Sequence, residues 1–270
     1  MTPVVLLVTI APLTAAAVGG TLCRFMPISP RLQVPVIIYS YWLLGGGLGL
    51  SLTLDVLLLL RLMDRGVLPP ANAPSAVILI GPLGQSAFAL LALGASVSRG
   101  PFAEYARGTF LTAATQEVVF ASSVVVAMGL QGFSLFWGGF AVLEVAETLW
   151  HHRRQTGRFV DEYTLTWWSV VFPISEWSFL LSSATASESS GSLAAVNATA
   201  LEQFAVLLDS VTFKVLSAIL AVLLVILWLA NAVATVKGLV TGKVLGLPSG
   251  WRRLRSKSSR KEQHGSQESA

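Results

Sequence analysis

Six runs of mostly apolar residues, each long enough to cross a bilayer as a helix, dominate this chain. They are Pro3 to Leu22, Val36 to Met63, Ser75 to Val97, Val118 to Trp150, Thr164 to Thr185 and Phe213 to Gly238. A helix needs about 20 such residues to cover the hydrocarbon. In lipid every backbone N–H and C=O has to find its partner within the protein, so runs of this kind fold as helices rather than open sheets. Only 12% of the residues are charged, where soluble domains carry about 25%. The pattern predicts an all-α polytopic transmembrane bundle over residues 1–248, followed by a basic cytosolic tail, residues 249–270, without fixed structure.

Two runs have a second reading. The first ends in Ala15-Ala16-Ala17-Val18-Gly19-Gly20, which resembles the cleavage site of a signal peptide, but its amino end has no Lys or Arg and Pro12 interrupts its centre. The fourth is long for one straight span. Gly129, Gly132, Gly138 and Gly139 give it places to bend or tilt, and no charged or proline-containing loop divides it in two.

Lysine and arginine set the orientation. Arg252, Arg253, Arg255, Lys257, Arg260 and Lys261 follow the last run and place the C-terminus in the cytosol. That cluster reads as a membrane-surface tail rather than a nucleic-acid site. Counting back, Arg61 to Arg65 and His151 to Arg154 with Arg158 also fall inside, while Arg24, Arg31, Arg99 and Arg107 fall outside. Residues 187–200 are external as well, where Asn197-Ala198-Thr199 forms a glycosylation tripeptide.

Prolines separate the runs into two kinds. Pro12, Pro82 and Pro173 lie inside the first, third and fifth, and the other three runs have none. An internal proline removes one backbone donor and frees a carbonyl, which is tolerable only against protein or a water-filled cavity. This predicts an inner set of kinked helices within an outer ring. The kinked runs also carry Thr14, Gln85, Ser86 and Ser169, the side chains best suited to pass a weakly held anion. Hydroxyls that merely join membrane helices give the same pattern.

Intramembrane acids are costly and default to functional candidates. Glu144 and Glu147 approach the cytosolic end beside His151 to Arg154, where a local ion pair accounts for them. Asp55 precedes Arg61 by one and a half turns and is expected to reach the interface the same way. Glu176 follows Pro173 in mid-run and is a candidate for coupling protons or repelling anions. Adjacent His151 and His152 point in different directions, and the single cysteine, Cys23, excludes an internal disulfide and any cysteine-based metal site. No metal, cofactor or enzymatic constellation is expected.

Four segments resemble a known family. They are Ala11-Pro12-Leu13-Thr14-Ala15, Ile80-Gly81-Pro82-Leu83-Gly84-Gln85, Thr166-Trp167-Trp168-Ser169-Val170-Val171-Phe172-Pro173 and Phe213-Lys214-Val215-Leu216. Their order and spacing are similar to those of the tellurite-resistance/dicarboxylate transporter family, which includes fungal sulfite efflux pumps, malic acid transporters and plant slow anion channels. The Gly-Pro-Leu-Gly-Gln segment looks most like the sulfite-pump branch. The resemblance implies a ten-helix fold with five inner, pore-lining helices, of which the six runs match the last six, so that four amino-terminal helices are expected to be missing. It also implies a homo-trimer, and a phenylalanine gate whose counterpart is Phe172. A packing aromatic is the alternative for that residue. The family pattern departs at Ser175-Glu176-Trp177, beside the gate.

The expectation is therefore a transporter of a small anion, most simply sulfite efflux across the plasma membrane, with the lipid bilayer and a small anion as its partners. A C4-dicarboxylate carrier of malate type and a truncated, non-transporting membrane fragment are the alternatives.

Overall fold

The computed structural model describes residues 3–66, 68–105, 107–157, 164–173 and 211–240. Among these residues the chain is helical and contains no strand. A 3-10 turn, Pro3–Leu6, leads into α1, Leu7–Phe25; α2 runs Pro30–Arg65. A second 3-10 segment, Ala73–Leu79, leads into α3, Ile80–Val97, and a short α4, Pro101–Tyr105, follows. The long α5 spans Ala113–Thr156, a third 3-10 segment covers Leu165–Val170, and α6 is Val211–Val240. Five of these stretches are long and apolar enough to cross a membrane. The fifth apolar run falls mostly outside the described residues, as do the 187–200 loop and the basic tail.

Local chemistry sets the ends. Pro30 occupies the first turn of α2, where its missing N–H costs nothing, and Gly66 stops the helix with φ of 70°. Thr112 caps α5 by accepting a hydrogen bond from the Thr115 N–H at 3.2 Å, and Gly157 ends it in the left-handed region at φ 73°. α2 begins before the apolar run does and so includes Pro35, which corrects the expectation that the second span has no internal proline. Its position in the second turn leaves the rest of the helix intact. The glycines of α5 do not break it either: the 44-residue helix is continuous, and a Cβ at Gly129, Gly132 or Gly139 would meet no neighbour within 4 Å.

Burial sorts the spans. In the most apolar stretch of the third span 94% of residues are buried, and 44% in the first; the figures are 28%, 22% and 11% for those of α2, α5 and α6. The third span is the centre, with α1 on one side and α5 on the other. Small residues permit the close approach: a Cβ on Gly20 would stand 2.8 Å from the Leu93 backbone nitrogen, and one on Gly94 2.8 Å from the Ser123 Cβ. Leu13, Ala16 and Ala17 of α1 and Leu90, Leu91 and Leu93 of α3 belong to one buried apolar cluster, which residues of α2 and α5 complete.

Candidate functional site

The two most buried spans carry the first pair of sequence-predicted residues. Gln85 of α3 is buried and donates from Nε2 to the Thr14 hydroxyl of α1 at 3.4 Å. This side-chain bridge between the two helices places a hydroxyl and an amide at mid-span. Pro12, two residues before Thr14, leans with Leu13 against α2, where a Cβ on Gly47 would meet the Leu13 side chain at 2.8 Å and the Pro12 ring at 3.3 Å. Of the Gly45-Gly46-Gly47 cluster, only Gly47 is a packing contact.

Pro82 stands at the third residue of α3, just after the chain passes from 3-10 to α geometry. A proline is tolerated in a first helical turn because that N–H has no helical partner to lose. Two hydroxyls serve the backbone around it. Ser86 Oγ donates to the Pro82 carbonyl at 2.6 Å, and Ser134 Oγ of α5 donates to the Ile80 carbonyl at 3.2 Å. Ser86 is thus turned onto its own helix.

The Phe172-Pro173 step reaches the same place from the other end of the sequence. A Cβ on Gly81 would lie 3.4 Å from Phe172 Cε1 and 3.7 Å from Pro173 Cγ, so the ring lies over the bare backbone that precedes Pro82. Phe172 is half-buried and Pro173 buried. Ser169 holds this segment from below, donating to the Pro74 carbonyl at 3.0 Å and to the Thr166 carbonyl at 2.6 Å. The Trp168 indole N–H donates to Thr235 Oγ1 at 2.8 Å, tying the double-tryptophan segment to α6. Glu176 lies outside the described residues.

The structure thus brings Gly81, Pro82, Phe172 and Pro173 together, and separately Thr14 with Gln85. Sequence reasoning missed Ser134, Pro74 and Thr235 as partners. Ser134 and Thr235 share the signal of a polar residue inside an apolar run, which does not say what they meet, and the Pro74 carbonyl gives no side-chain signal at all.

The acids correct two expectations. Glu144 makes no ion pair with the His151 to Arg154 segment among the described residues; it is buried, and its Oε1 accepts the Leu68 N–H at 2.6 Å, fastening the connection after α2 to α5. Glu147 alone faces His151, at 3.9 Å. Asp55 does not reach an interface. It is 2% exposed, and neither carboxyl oxygen has a hydrogen-bond partner among the described residues.

Comparison with known proteins agrees with this arrangement of long apolar helices. The chain is 29% identical over 175 residues to the sulfite efflux pump SSU1 of Trichophyton rubrum and, at the same identity and length, to that of Arthroderma otae. The matched stretch covers 64% of this chain but only 42% of each relative, less than half the length of those pumps. No solved structure gives a significant match. Residues 1–236 match the SLAC1 family, described as voltage-dependent anion channels, and with that match spanning nearly the whole helical region, the chain belongs to this family of integral membrane proteins.

Proposed function

We propose that this chain lines a transmembrane pathway for a small anion and that its substrate is sulfite, exported across the plasma membrane. The observation that supports the reading best is the stacking of Phe172 over Gly81, 3.4 Å from where a side chain would begin. An apolar ring seated on bare glycine backbone at a proline step closes a narrow passage to water, and its rotation opens one. Thr14, Gln85 and Ser169 supply hydroxyl and amide groups along α1, α3 and the double-tryptophan segment, with Pro12 inside the continuous α1 and Pro82 in the first turn of α3. Weak, neutral contacts of this kind let an anion enter and leave quickly. The name of the relatives from Trichophyton rubrum and Arthroderma otae supports sulfite as the substrate.

Transport of labelled sulfite by the chain in vesicles, beside labelled malate, tests the reading. Sulfite flux above that of empty vesicles is expected. Malate flux without sulfite flux would replace it with a dicarboxylate carrier, and the absence of both would remove it.

In the proposed topology the C-terminus and residues 249–270 are cytosolic, and the end bearing Arg24 and Arg99 is external. Single cysteines introduced in a Cys23-free background report it: labelling of a residue in 187–200 only from the cytosolic side would invert the topology. A homo-trimer is the assembly that the family resemblance supports, and the mass of the detergent-solubilised particle checks it.

A further inference from the structure

Arg24 closes the last turn of α1, and Arg99 stands two residues beyond the end of α3. The two are drawn together. An Arg99 guanidinium N–H donates to the Arg24 carbonyl oxygen, and both guanidinium groups lie against the same ring, with Arg24 Cζ 5.0 Å and Arg99 Cζ 6.0 Å from the Phe25 centroid. Neither arginine has an ion-pair partner among the described residues. Glu104, whose Oε1 comes within 3.7 Å of where a Cβ on Gly100 would sit, makes no ion pair with Arg99. At this end of the bundle the described charged side chains are Arg24, Arg31, Arg99 and Arg107 against Glu104 and Glu117.

We propose that Arg24 and Arg99 together bind a doubly charged oxyanion at the end of the bundle where α1 and α3 finish. The proposal rests on the pathway reading above, because it puts the site at the mouth of the two helices joined by Thr14 and Gln85. Completing the dipole of α1 explains Arg24, since a cation in the last turn is favourable. It does not explain Arg99, which is brought back from beyond α3 to lie beside another positive charge. Two guanidinium groups held near one ring repel each other, and the shared π face and the Arg24 carbonyl hold them there. Each keeps several N–H donors in a fixed fork that matches paired oxygens. An anion with several acceptor oxygens and two charges fills both forks and relieves the repulsion, whereas chloride offers one point charge and no fork geometry. Sulfite and sulfate have that form. At the external mouth the pair would act as a last station, holding each departing oxyanion until the next arrives and favouring such ions over chloride.

The test reads the arginines themselves. The purified full chain in lipid nanodiscs is treated with phenylglyoxal, which modifies accessible guanidinium groups, in sodium sulfate or in sodium chloride of equal ionic strength. Peptide mass spectrometry follows Arg24, Arg31, Arg99 and Arg107. Sulfate at about ten times its Kd should slow modification of Arg24 and Arg99 about tenfold relative to chloride, leaving Arg31 and Arg107 unchanged. In Arg24→Gln the protection of Arg99 should fall several-fold. Equal rates in both salts, equal protection of all four arginines, or full protection of Arg99 in Arg24→Gln would each overturn the proposal. The result is independent of transport: protection without sulfite flux in vesicles would sink the pathway reading and keep the site, and flux without protection would do the reverse.

Discussion

Phe172 lies against a residue that has no side chain, and the effect of removing it differs in sign between a gate and a packing residue. As a gate, its replacement by alanine widens and wets a constriction, so anion flux per inserted molecule rises. As a packing residue, the same change leaves a cavity costing about 3 to 5 kcal/mol, and less folded protein appears without greater flux. We expect the rise, measured as vesicle flux normalised to inserted protein. An equal rise for Trp168→Ala, in the same segment, would show only that loosening it causes leak. Asp55 gives a second prediction at this scale. A buried carboxyl without partners lowers stability, so Asp55→Leu should stabilise the chain by about 1 to 3 kcal/mol, read from thermal unfolding in detergent. Gain of stability together with loss of flux would mark Asp55 as kept for transport, since an expensive intramembrane acid is retained for a use.

At the scale of elements, hydropathy located every described span but not its ends. The apolar runs mark where a helix lies in hydrocarbon, while helices continue until caps stop them. α2 therefore starts at Pro30 rather than Val36, and α5 runs from Thr112's cap to Gly157 rather than from Val118 to Trp150. The deep burial of the first and third spans agrees with their prolines, which need protein around them, but proline alone does not mark an inner span: α2 carries Pro35 and its most apolar stretch is 28% buried. Contacts between distant segments were not legible. Nothing local in the sequence says that Glu144 reaches the Leu68 N–H or that Trp168 reaches Thr235, because both depend on how whole helices settle. The second of these is testable as an interaction. Trp168→Phe and Thr235→Val each break the same hydrogen bond, so their combined effect on unfolding should fall short of the sum by about 0.5 to 1.5 kcal/mol. Strict additivity would mean that the double-tryptophan segment is not held by α6.

For the molecule as a whole, the third span is a fixed axis clasped between α1 and α5, and α5 is also the longest element. Between Glu117 and Glu144 it has 26 residues without a charge, Val118 to Leu143, a length of about 39 Å at the usual rise. The hydrocarbon is only about 30 Å thick, and membrane helices lean by at most about 40°. α5 therefore behaves as a caliper set near the limit of its opening: a thinner bilayer forces it to lean further, and a thicker one lets it stand. Ser134 sits partway along that lever and holds the Ile80 carbonyl, next to the residue on which Phe172 rests. If Phe172 gates the proposed pathway, a change in bilayer thickness should reach it through this bond as a small displacement. Sulfite flux at constant protein should change several-fold between vesicles of short-chain and long-chain phosphatidylcholine, and Ser134→Ala, which cuts the link, should flatten that dependence.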